Sequence, residues 1–243
     1  LQQPGTRTVQ AEIERAVSKV ANETIRVTCA GRTDTGVHAT GQVVHFDTGA
    51  ERLLKAWVQG CNTLLPRDVC IHWARQVDTD FSARFSAPSR RYRYVLFTRQ
   101  VRSAILGGNV AWCFDELDVA KMHAAAQSLL GENDFSAFRA SQCQAKHARR
   151  CLQEIRLTQS GPYVLMDIQA NAFLHHMVRN IMGSLILIGR GEQPVEWLAE
   201  VLASRDRRLA GMTAPAAGLY LINVEYPENY GLPAQTGWLP SFG

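Results

Sequence analysis

Arg32 and Asp34 are the two residues whose types and spacing most directly suggest chemistry. They lie in the string AGRTDTGVHATG at positions 30–41, where Gly31 and Gly36 allow the backbone to turn tightly. Residues two apart on an extended segment point the same way, so both side chains could reach one pocket. A carboxylate in such a pocket could serve as a nucleophile or a base. The alternative is an ordinary surface turn, with Asp34 capping the backbone and Arg32 solvated.

Arg179 lies in a second candidate segment, AFLHHMVRN at positions 172–180. The apolar pattern predicts a helix over 174–188, with His175, His176 and Arg179 on its polar side. An arginine in so apolar a helix favours a carboxylate partner, and the alternative is a solvated helix face. Adjacent residues of a helix share a face poorly, so we predict no metal site at the two histidines.

Tyr92 belongs to a third segment, RRYRY at positions 90–94, which reads as part of a strand. Tyr92 and Tyr94 share one face of that strand, and Arg91 and Arg93 share the other. A tyrosine ring could stack on a base that has left its helix, and its hydroxyl could move a proton. Ordinary cross-strand aromatic packing is the alternative, and we expect it for Tyr94.

Positive charge is concentrated in two parts of the chain. The net charge is +4, and 22 of the 26 basic residues are arginine. Residues 81–114 carry six arginines and no acid, and residues 135–153 carry three arginines, one lysine and no acid. Such segments suit a surface that follows phosphates, although a compositional preference for arginine would give the same count.

The remaining composition argues against several classes of protein. The six cysteines form no CxxC pair, and Cys143, His147 and Cys151 lack a fourth ligand nearby, so we predict no metal and reduced thiols in the cytoplasm. The longest apolar run, 184–189, is far too short to span a bilayer, and we expect no membrane segment. Fingerprints of nucleotide cofactors are absent from the sequence, so we predict no cofactor.

The elements that would position these residues alternate helices with paired strands, the order of ferredoxin-like modules. We predict two such halves, residues 1–104 and 105–243, with a Pro- and Gly-rich tail after 227. The first half begins with its helix, and residue 1 is leucine, so we expect the opening strand to be missing from a truncated chain. Helices are predicted over 8–20, 53–65, 118–130, 174–188 and 194–203, and strands over 24–30, 42–47, 69–77, 90–98, 151–158, 163–171 and 219–226.

Together, these motifs resemble the TruA-type tRNA pseudouridine synthases, in the same order from residue 8 to residue 226. Thr35 replaces the alanine that usually follows the aspartate in that family. The resemblance implies an α/β fold of the α+β type, in which two RRM-like βαββαβ halves form a mostly antiparallel sheet with helices packed on it. It also implies that Asp34 is the catalytic carboxylate, Arg179 its partner, Tyr92 a catalytic and base-stacking ring, and Leu219 an aliphatic wall of the uracil pocket.

The same resemblance implies an activity and partners. The activity is cofactor-independent isomerisation of uridine to pseudouridine at positions 38, 39 and 40 of tRNA, in the anticodon stem-loop, by a cytoplasmic homodimer without metal. We expect the substrate to be bound by Arg32, Arg84, Tyr92, His175, His176 and Leu219, and its backbone by Arg90, Arg91, Arg139, Arg149 and Arg150.

Two other functions remain open at this point. One is a non-catalytic RNA-binding protein built on two RRM-like halves, which explains the basic segments but not the set of Asp34, Tyr92 and Arg179. The other is a metal-dependent hydrolase that would use Asp34, His38, His45 and Asp47, although their spacing matches no recognisable ligand pattern.

Overall fold

The computed structural model describes residues 7–233, which fall into two compact units. The described part of the first unit consists of residues 7–31, 43–87 and 226–233, and that of the second unit of residues 32–42 and 88–225. The segment with Arg32 and Asp34 therefore belongs to the second unit. The predicted boundary at residue 104 stays a prediction, and the tail residues 234–243 lie outside the described residues.

The regular elements are short in the first unit and longer in the second. The helices are α1 Val9–Ala21, α2 Cys61–Leu64, α3 Val119–Ala126, α4 Met177–Gly189 and α5 Trp197–Ser204. The strands are β1 Thr28–Cys29, β2 His38–Ala39, β3 Val44–His45, β4 Ser89–Thr98, β5 Ala111–Cys113, β6 Gly131–Asp134, β7 Arg149–Ser160, β8 Tyr163–Ala170 and β9 Leu219–Glu225. In residues 7–233, every helix is too short or too polar to cross a lipid bilayer.

Helix α1 organises the core of the first unit. The Thr8 side chain accepts a hydrogen bond from the Ala11 amide at the start of the helix, and Asn22 ends it in a left-handed conformation. One stripe of the helix, including Val17, packs in a cluster with Trp57 and Cys61. The helix predicted over 8–20 is confirmed.

The strands of the first unit are shorter than the sequence predicts. Among the described residues of the first unit, β1 and β3 form the one ladder, an antiparallel pair of two residues each. The strand predicted over 69–77 is wrong, because the Asn62 side chain satisfies Ile71 instead: it accepts from the Ile71 amide at 2.7 Å and donates to its carbonyl at 2.8 Å. The alternation of apolar residues predicted backbone pairing with another strand. In the structure, the Asn62 side chain takes the place of that strand at Ile71.

A seven-stranded sheet forms the frame of the second unit. Its order is β2-β9-β4-β8-β7-β6, with β5 paired to the end of β4. The pairs β2–β9 and β4–β5 are parallel and the others are antiparallel, so the mostly antiparallel sheet is confirmed. Strands β2, β5 and β6 are not among the predicted strands.

Helices cover this sheet. Helix α3 packs against β7 and α4, and Met122 of α3, Ile181 of α4, and Met166 and Ile168 of β8 are all fully buried. A second cluster contains Val95 of β4 and is completed by apolar side chains of β9 and of the segment before β5. The mixed α/β class with helices on a sheet is therefore the observed class.

Candidate active site

The loop that carries Asp34 is shaped by a tight turn. The Val37 amide donates to the Asp34 carbonyl at 3.0 Å, and Gly36, third in this four-residue turn, has φ +81°. A positive φ at that position is typical of a type II turn and favours glycine. A Cβ on Gly36 would also lie 3.4 Å from the Ala216 side chain. The glycine therefore fixes how the chain leaves Asp34.

Strand β9 holds the loop from its other side. His38 and Ala39 pair in parallel with Tyr220 and Leu221, and the amides of Thr40 and Gly41 both donate to the Leu221 carbonyl at 3.0 Å. The His38 ring stacks on Tyr220 with 4.7 Å between centroids. Since the pairing is parallel, residues before His38 lie at the same end of the sheet as residues before Tyr220. This end therefore brings Asp34 towards Leu219 and the segment before it.

Arg179 reaches Asp34 from the first turn of α4. Its Nε donates to the Ala214 carbonyl at 2.8 Å, and the Ala214 amide donates back to the Arg179 carbonyl at 3.1 Å. The remaining end of the guanidinium, Nη1, lies 3.4 Å from Asp34 Oδ2. The Arg179 side chain is only 14% exposed, so this contact is partly shielded from water.

His175 and His176 also contact the same carboxylate. His175 Nε2 lies 3.2 Å from Asp34 Oδ1, and His176 Nε2 lies 3.2 Å from Asp34 Oδ2. The rings lie side by side, with centroids 4.0 Å apart. Both oxygens of Asp34 are thus contacted by nitrogen atoms from one short segment, and three side chains converge on one carboxylate.

The predicted helix start at 174 is wrong. Because the helix begins after both histidines, the two side chains can reach Asp34 together. Helix α4 begins at Met177, and His176 precedes it with φ +61°, in the left-handed region. Helical geometry, which would have turned the two side chains apart, therefore does not apply to them. Left-handed backbone at a residue other than glycine is uncommon, and it is found where surrounding contacts impose it.

The electrostatic setting of His176 favours its neutral form. Burial lowers the pKa of His176 most, the positive charges of Arg179 and Arg207 lower it further, as a second proton on His175 would, and the charge of Asp34 opposes them. The net effect is a pKa below the ordinary value of 6.5. His176 is therefore uncharged at neutral pH and can donate one hydrogen bond from its ring.

Tyr92 and Leu219 lie on the two strands beside the loop. Tyr92 of β4 is buried, pairs with Leu221, and meets the Phe173 ring edge-to-face at 5.0 Å. Leu219 is also buried and pairs with Tyr94. The roles of both residues towards a substrate stay predictions.

Tyr94 has a structural position. It is fully buried, and its hydroxyl donates to the Pro215 carbonyl at 2.7 Å. Burial raises its pKa far above the ordinary value, against an opposing effect of Arg179. It is thus a neutral donor that holds the segment leading to Leu219.

Arg32 and Arg84 are both exposed, on the two different units. Arg32 lies two residues before Asp34 in its loop, and the Arg84 guanidinium lies 5.3 Å from the centroid of the Phe85 ring. The role of both residues in binding stays a prediction.

The five arginines predicted to hold an RNA backbone have different settings. Arg91 pairs with Glu154 at 2.5 Å, Arg139 donates to the carbonyls of Cys143 and Ala145, and Arg150 is buried. Arg90 donates to the Asn171 carbonyl at 3.1 Å, and exposed Arg149 contacts Glu132 at 3.4 Å. Their phosphate-binding role stays a prediction, but all five already make a hydrogen bond or an ion pair within the protein.

Asp34, His175 and His176 also have the composition of a metal site. One ligand atom of each lies within 4.8 Å of the other two, and they are the one such set found in residues 7–233. Sequence spacing did not reveal this set because the predicted helix separated the histidines. The histidines are therefore either hydrogen-bond donors to Asp34 or ligands of an ion.

Several supporting residues were not found from the sequence. Asn180 is fully buried, donates to the Phe138 carbonyl at 2.8 Å, and accepts from Arg207 and Thr213. These contacts tie α4 to the segment that ends at Ala214. The sequence offered one indication of this role. Asn180 lies within a segment predicted to be an apolar helix, and a buried amide needs hydrogen-bond partners.

Comparisons with known proteins identify the relatives of this chain. The family model described as tRNA pseudouridine synthase matches residues 1–86 and 125–227. Proteins named tRNA pseudouridine synthase A are similar over most of their length. The one from Hydrogenovibrio crunogenus is 59% identical over 93% of this chain and 86% of its own, and that from Aeromonas hydrophila is 56% identical over 96% and 87%. The one from Shewanella loihica is 56% identical over 93% and 86%. This chain belongs to the tRNA pseudouridine synthase family.

Proposed function

We propose that this chain converts uridines 38, 39 and 40 of the tRNA anticodon stem-loop to pseudouridine, with Asp34 as the catalytic carboxylate. The observation that supports Asp34 is the convergence of His175, His176 and Arg179 on its two oxygens. An aspartate that only caps a turn accepts hydrogen bonds from backbone amides, and this role does not require contacts from three side chains. Such convergence is typical of a carboxylate that must be held in one orientation.

The reaction is an isomerisation that balances without any other reactant. The bond between uracil N1 and C1′ of the ribose breaks, the uracil rotates, and a bond between C5 and C1′ forms. The proton on C5 leaves and N1 gains one. Asp34 acts as a nucleophile or as a base in this sequence. We propose that it proceeds without cofactor or metal, because no electron or group is transferred to another molecule.

The other residues of the proposed site act on the flipped base and its phosphates. The target uridine must leave its stack, which costs roughly a few kcal/mol. Arg32 occupies the vacated space or holds a phosphate, Tyr92 stacks on the base, and Leu219 forms a wall of the uracil pocket. Arg84 and exposed Arg149 contribute charge to the RNA surface. The enzyme acts in the cytoplasm, as a homodimer.

Tritium release measures this function directly. The chain is incubated with unmodified tRNA labelled with tritium at C5 of uracil, in parallel with Asp34→Ala, Asp34→Asn and Asp47→Ala. We expect tritium release by the unaltered chain and by Asp47→Ala, and none above background by either Asp34 variant. Of these two aspartates, only Asp34 lies in the proposed site. Asp47 is an exposed acid of the first unit and serves as the matched control.

The other outcomes discriminate between functions. Binding of tRNA without release by any form would favour the non-catalytic RNA-binding protein. Release by the Asp34 variants would mean that another residue is catalytic. Loss of release in the presence of a chelator would instead mean that the reaction needs a metal ion.

A further inference from the structure

The two histidines share the oxygens of Asp34 between them. His175 contacts Oδ1 and His176 contacts Oδ2, each from Nε2 at 3.2 Å, and Arg179 adds a longer contact to Oδ2. A rotation of the carboxylate about its Cβ–Cγ bond would break both histidine contacts together. The pair therefore defines the plane of the carboxylate, which a single contact from Arg179 would leave free to turn.

The surroundings of His175 determine which ring nitrogen carries its proton. Its Nδ1 is buried and has no hydrogen-bond partner among residues 7–233, so a proton there would be buried unpaired. The proton is therefore expected on Nε2, facing Asp34. The backbone fixes the residue from behind, since its amide donates to Cys143 Sγ at 3.4 Å and its carbonyl accepts from Ala140.

His176 fits the same role from its own side. Among the charged groups that act on it, only Asp34 favours its charged form, and burial together with His175, Arg179 and Arg207 favours the neutral ring. A neutral ring that contacts a carboxylate through Nε2 must carry its proton on Nε2. Its left-handed backbone, at φ +61°, is an unfavourable conformation for histidine that the fold nevertheless keeps.

The geometry is less suited to a metal ion. A histidine that binds a metal through Nε2 carries its proton on Nδ1, which normally donates to a nearby acceptor. The buried Nδ1 of His175 has no such acceptor within the described residues. Arg179 Nη1, 3.4 Å from the same carboxylate, would also repel a cation placed between the three side chains.

We propose that His175 and His176 are positioning residues that hold both oxygens of Asp34 through their Nε2–H groups and do not themselves touch the uridine. This inference rests on the proposed catalytic role of Asp34. It assigns the histidines a different task from the substrate contact expected from the sequence. A residue that acts through Asp34 affects the rate of reaction and not the binding of tRNA.

Paired substitutions test this assignment. In His176→Gln and His175→Gln the side-chain amide nitrogen reaches about as far as the ring Nε2, whereas in the asparagine variants it reaches only as far as Nδ1. We expect kcat for tritium release to fall about 10- to 100-fold in each asparagine variant, because the carboxylate is misplaced. The glutamine variants restore most of kcat, and KM and Kd for tRNA stay near the unaltered values in all four.

Three results would overturn the inference. The first is an unchanged kcat in both asparagine variants while Asp34→Ala is inactive. The second is a rise in KM with kcat unchanged, which would mean that the histidines bind RNA. The third is a stoichiometric effect of added Zn²⁺ that disappears in the asparagine variants, which would mean that the rings are metal ligands. Thermal unfolding of each variant identifies any that has failed to fold. If an asparagine variant has failed to fold, kcat of the glutamine variant at that position tests the inference instead.

A readout independent of activity separates this inference from the proposed function. Nitrogen-15 NMR of the imidazole rings in the unaltered chain reports the tautomer, and we expect Nε2–H and bare Nδ1 for both rings at neutral pH. Protonated Nδ1 on either ring would contradict the donor assignment even if Asp34 is essential. Tritium release that survives Asp34→Ala would instead overturn the proposed function, whatever the tautomers are.

Discussion

Asp34 has more side-chain partners than an isolated loop carboxylate can collect. Each partner is held by a different device: Arg179 by the Ala214 carbonyl, His175 by Cys143 and Ala140, and His176 by its place before α4. Since each is fixed by its own contacts, the carboxylate meets a preformed set of donors. Preformed donors reduce the reorganisation needed when a substrate arrives.

The lowered pKa of His176 has a consequence for stability. A histidine whose pKa is lower in the folded protein than in the unfolded chain binds its proton more readily when unfolded, so acid favours unfolding. We expect the free energy of unfolding to fall as the pH drops through the ordinary value of 6.5, and to fall less in His176→Gln. Urea unfolding at about pH 7.5 and about pH 5.5 gives this difference.

The difference in acid sensitivity between the unaltered chain and His176→Gln separates the effect of His176 from that of the other titrating groups. His175, Arg179 and Arg207 lower its pKa and Asp34 raises it, and all of them remain in the variant. Equal losses of stability in the two proteins on acidification would contradict the prediction, because the variant has no titrating ring at position 176.

Sequence reasoning named all four side chains of the site but misjudged how two of them reach it. Arg179 was expected to seek a carboxylate, because a charge in an apolar helix needs a partner. His175 and His176 were treated as helical, and the unusual φ of His176 moved the helix start by three residues. The sequence around His176 does not indicate a left-handed backbone, because contacts made elsewhere in the fold impose that conformation.

At the scale of elements, long strands were predictable and short ones were not. Strands β4, β7 and β8 match the predicted segments to within two residues, because alternation over eight or more positions is a strong signal. Strand β2 has two residues and exists because β9 pairs with it. Such a strand depends on a distant partner and leaves no periodic pattern of its own.

Helix α4 and the segment before Ala214 touch at Gly183. A Cβ on Gly183 would lie 1.7 Å from the Met212 carbonyl oxygen, so Gly183→Ala must displace backbone. We expect this substitution to lower the free energy of unfolding by about 1 to 3 kcal/mol, as overpacking does. It should also reduce tritium release, since the displaced segment carries the Ala214 carbonyl that holds Arg179.

Gly49→Ala is the matched control for this prediction. A Cβ on Gly49 would have no atom within 4 Å, and its φ is not in the left-handed region, so stability and activity should hardly change. Chemical denaturation of both variants, with tritium release at saturating tRNA, makes the comparison. A Gly183→Ala protein as stable and active as Gly49→Ala would show that the segment can move freely.

At the scale of the whole molecule, counting charge along the sequence overstates what an RNA could meet. Arg91 and Arg93 fall in the first basic segment, yet Arg93 pairs with Asp167 on the neighbouring strand β8, and Arg91 pairs with Glu154 on β7, the next strand but one. Strand pairing brings these acids across from residues far away in the sequence. The two acid-free segments therefore become partly neutral surfaces on folding, and Arg149 remains among the more exposed cations.

The proposed homodimer is tested by mass in solution. Sedimentation equilibrium or light scattering at micromolar concentration should give twice the 27.0 kDa of the chain. The expectation follows from the family resemblance, in which the basic surfaces of two subunits hold one tRNA. A mass of one chain, unchanged by added tRNA, would contradict it.

The pairing of β2 with β9 also sets when the enzyme can become active during its synthesis. Asp34 leaves the ribosome early, but the strand that fastens its loop begins at Leu219, close to the end of the described chain. At 5 to 20 residues per second, roughly 10 to 40 s of translation separate the two. A nascent chain cut short before β9 would carry the carboxylate, both histidines and Arg179 without the strand that holds the Asp34 loop. We therefore expect a fragment that ends before β9 to release no tritium from labelled tRNA.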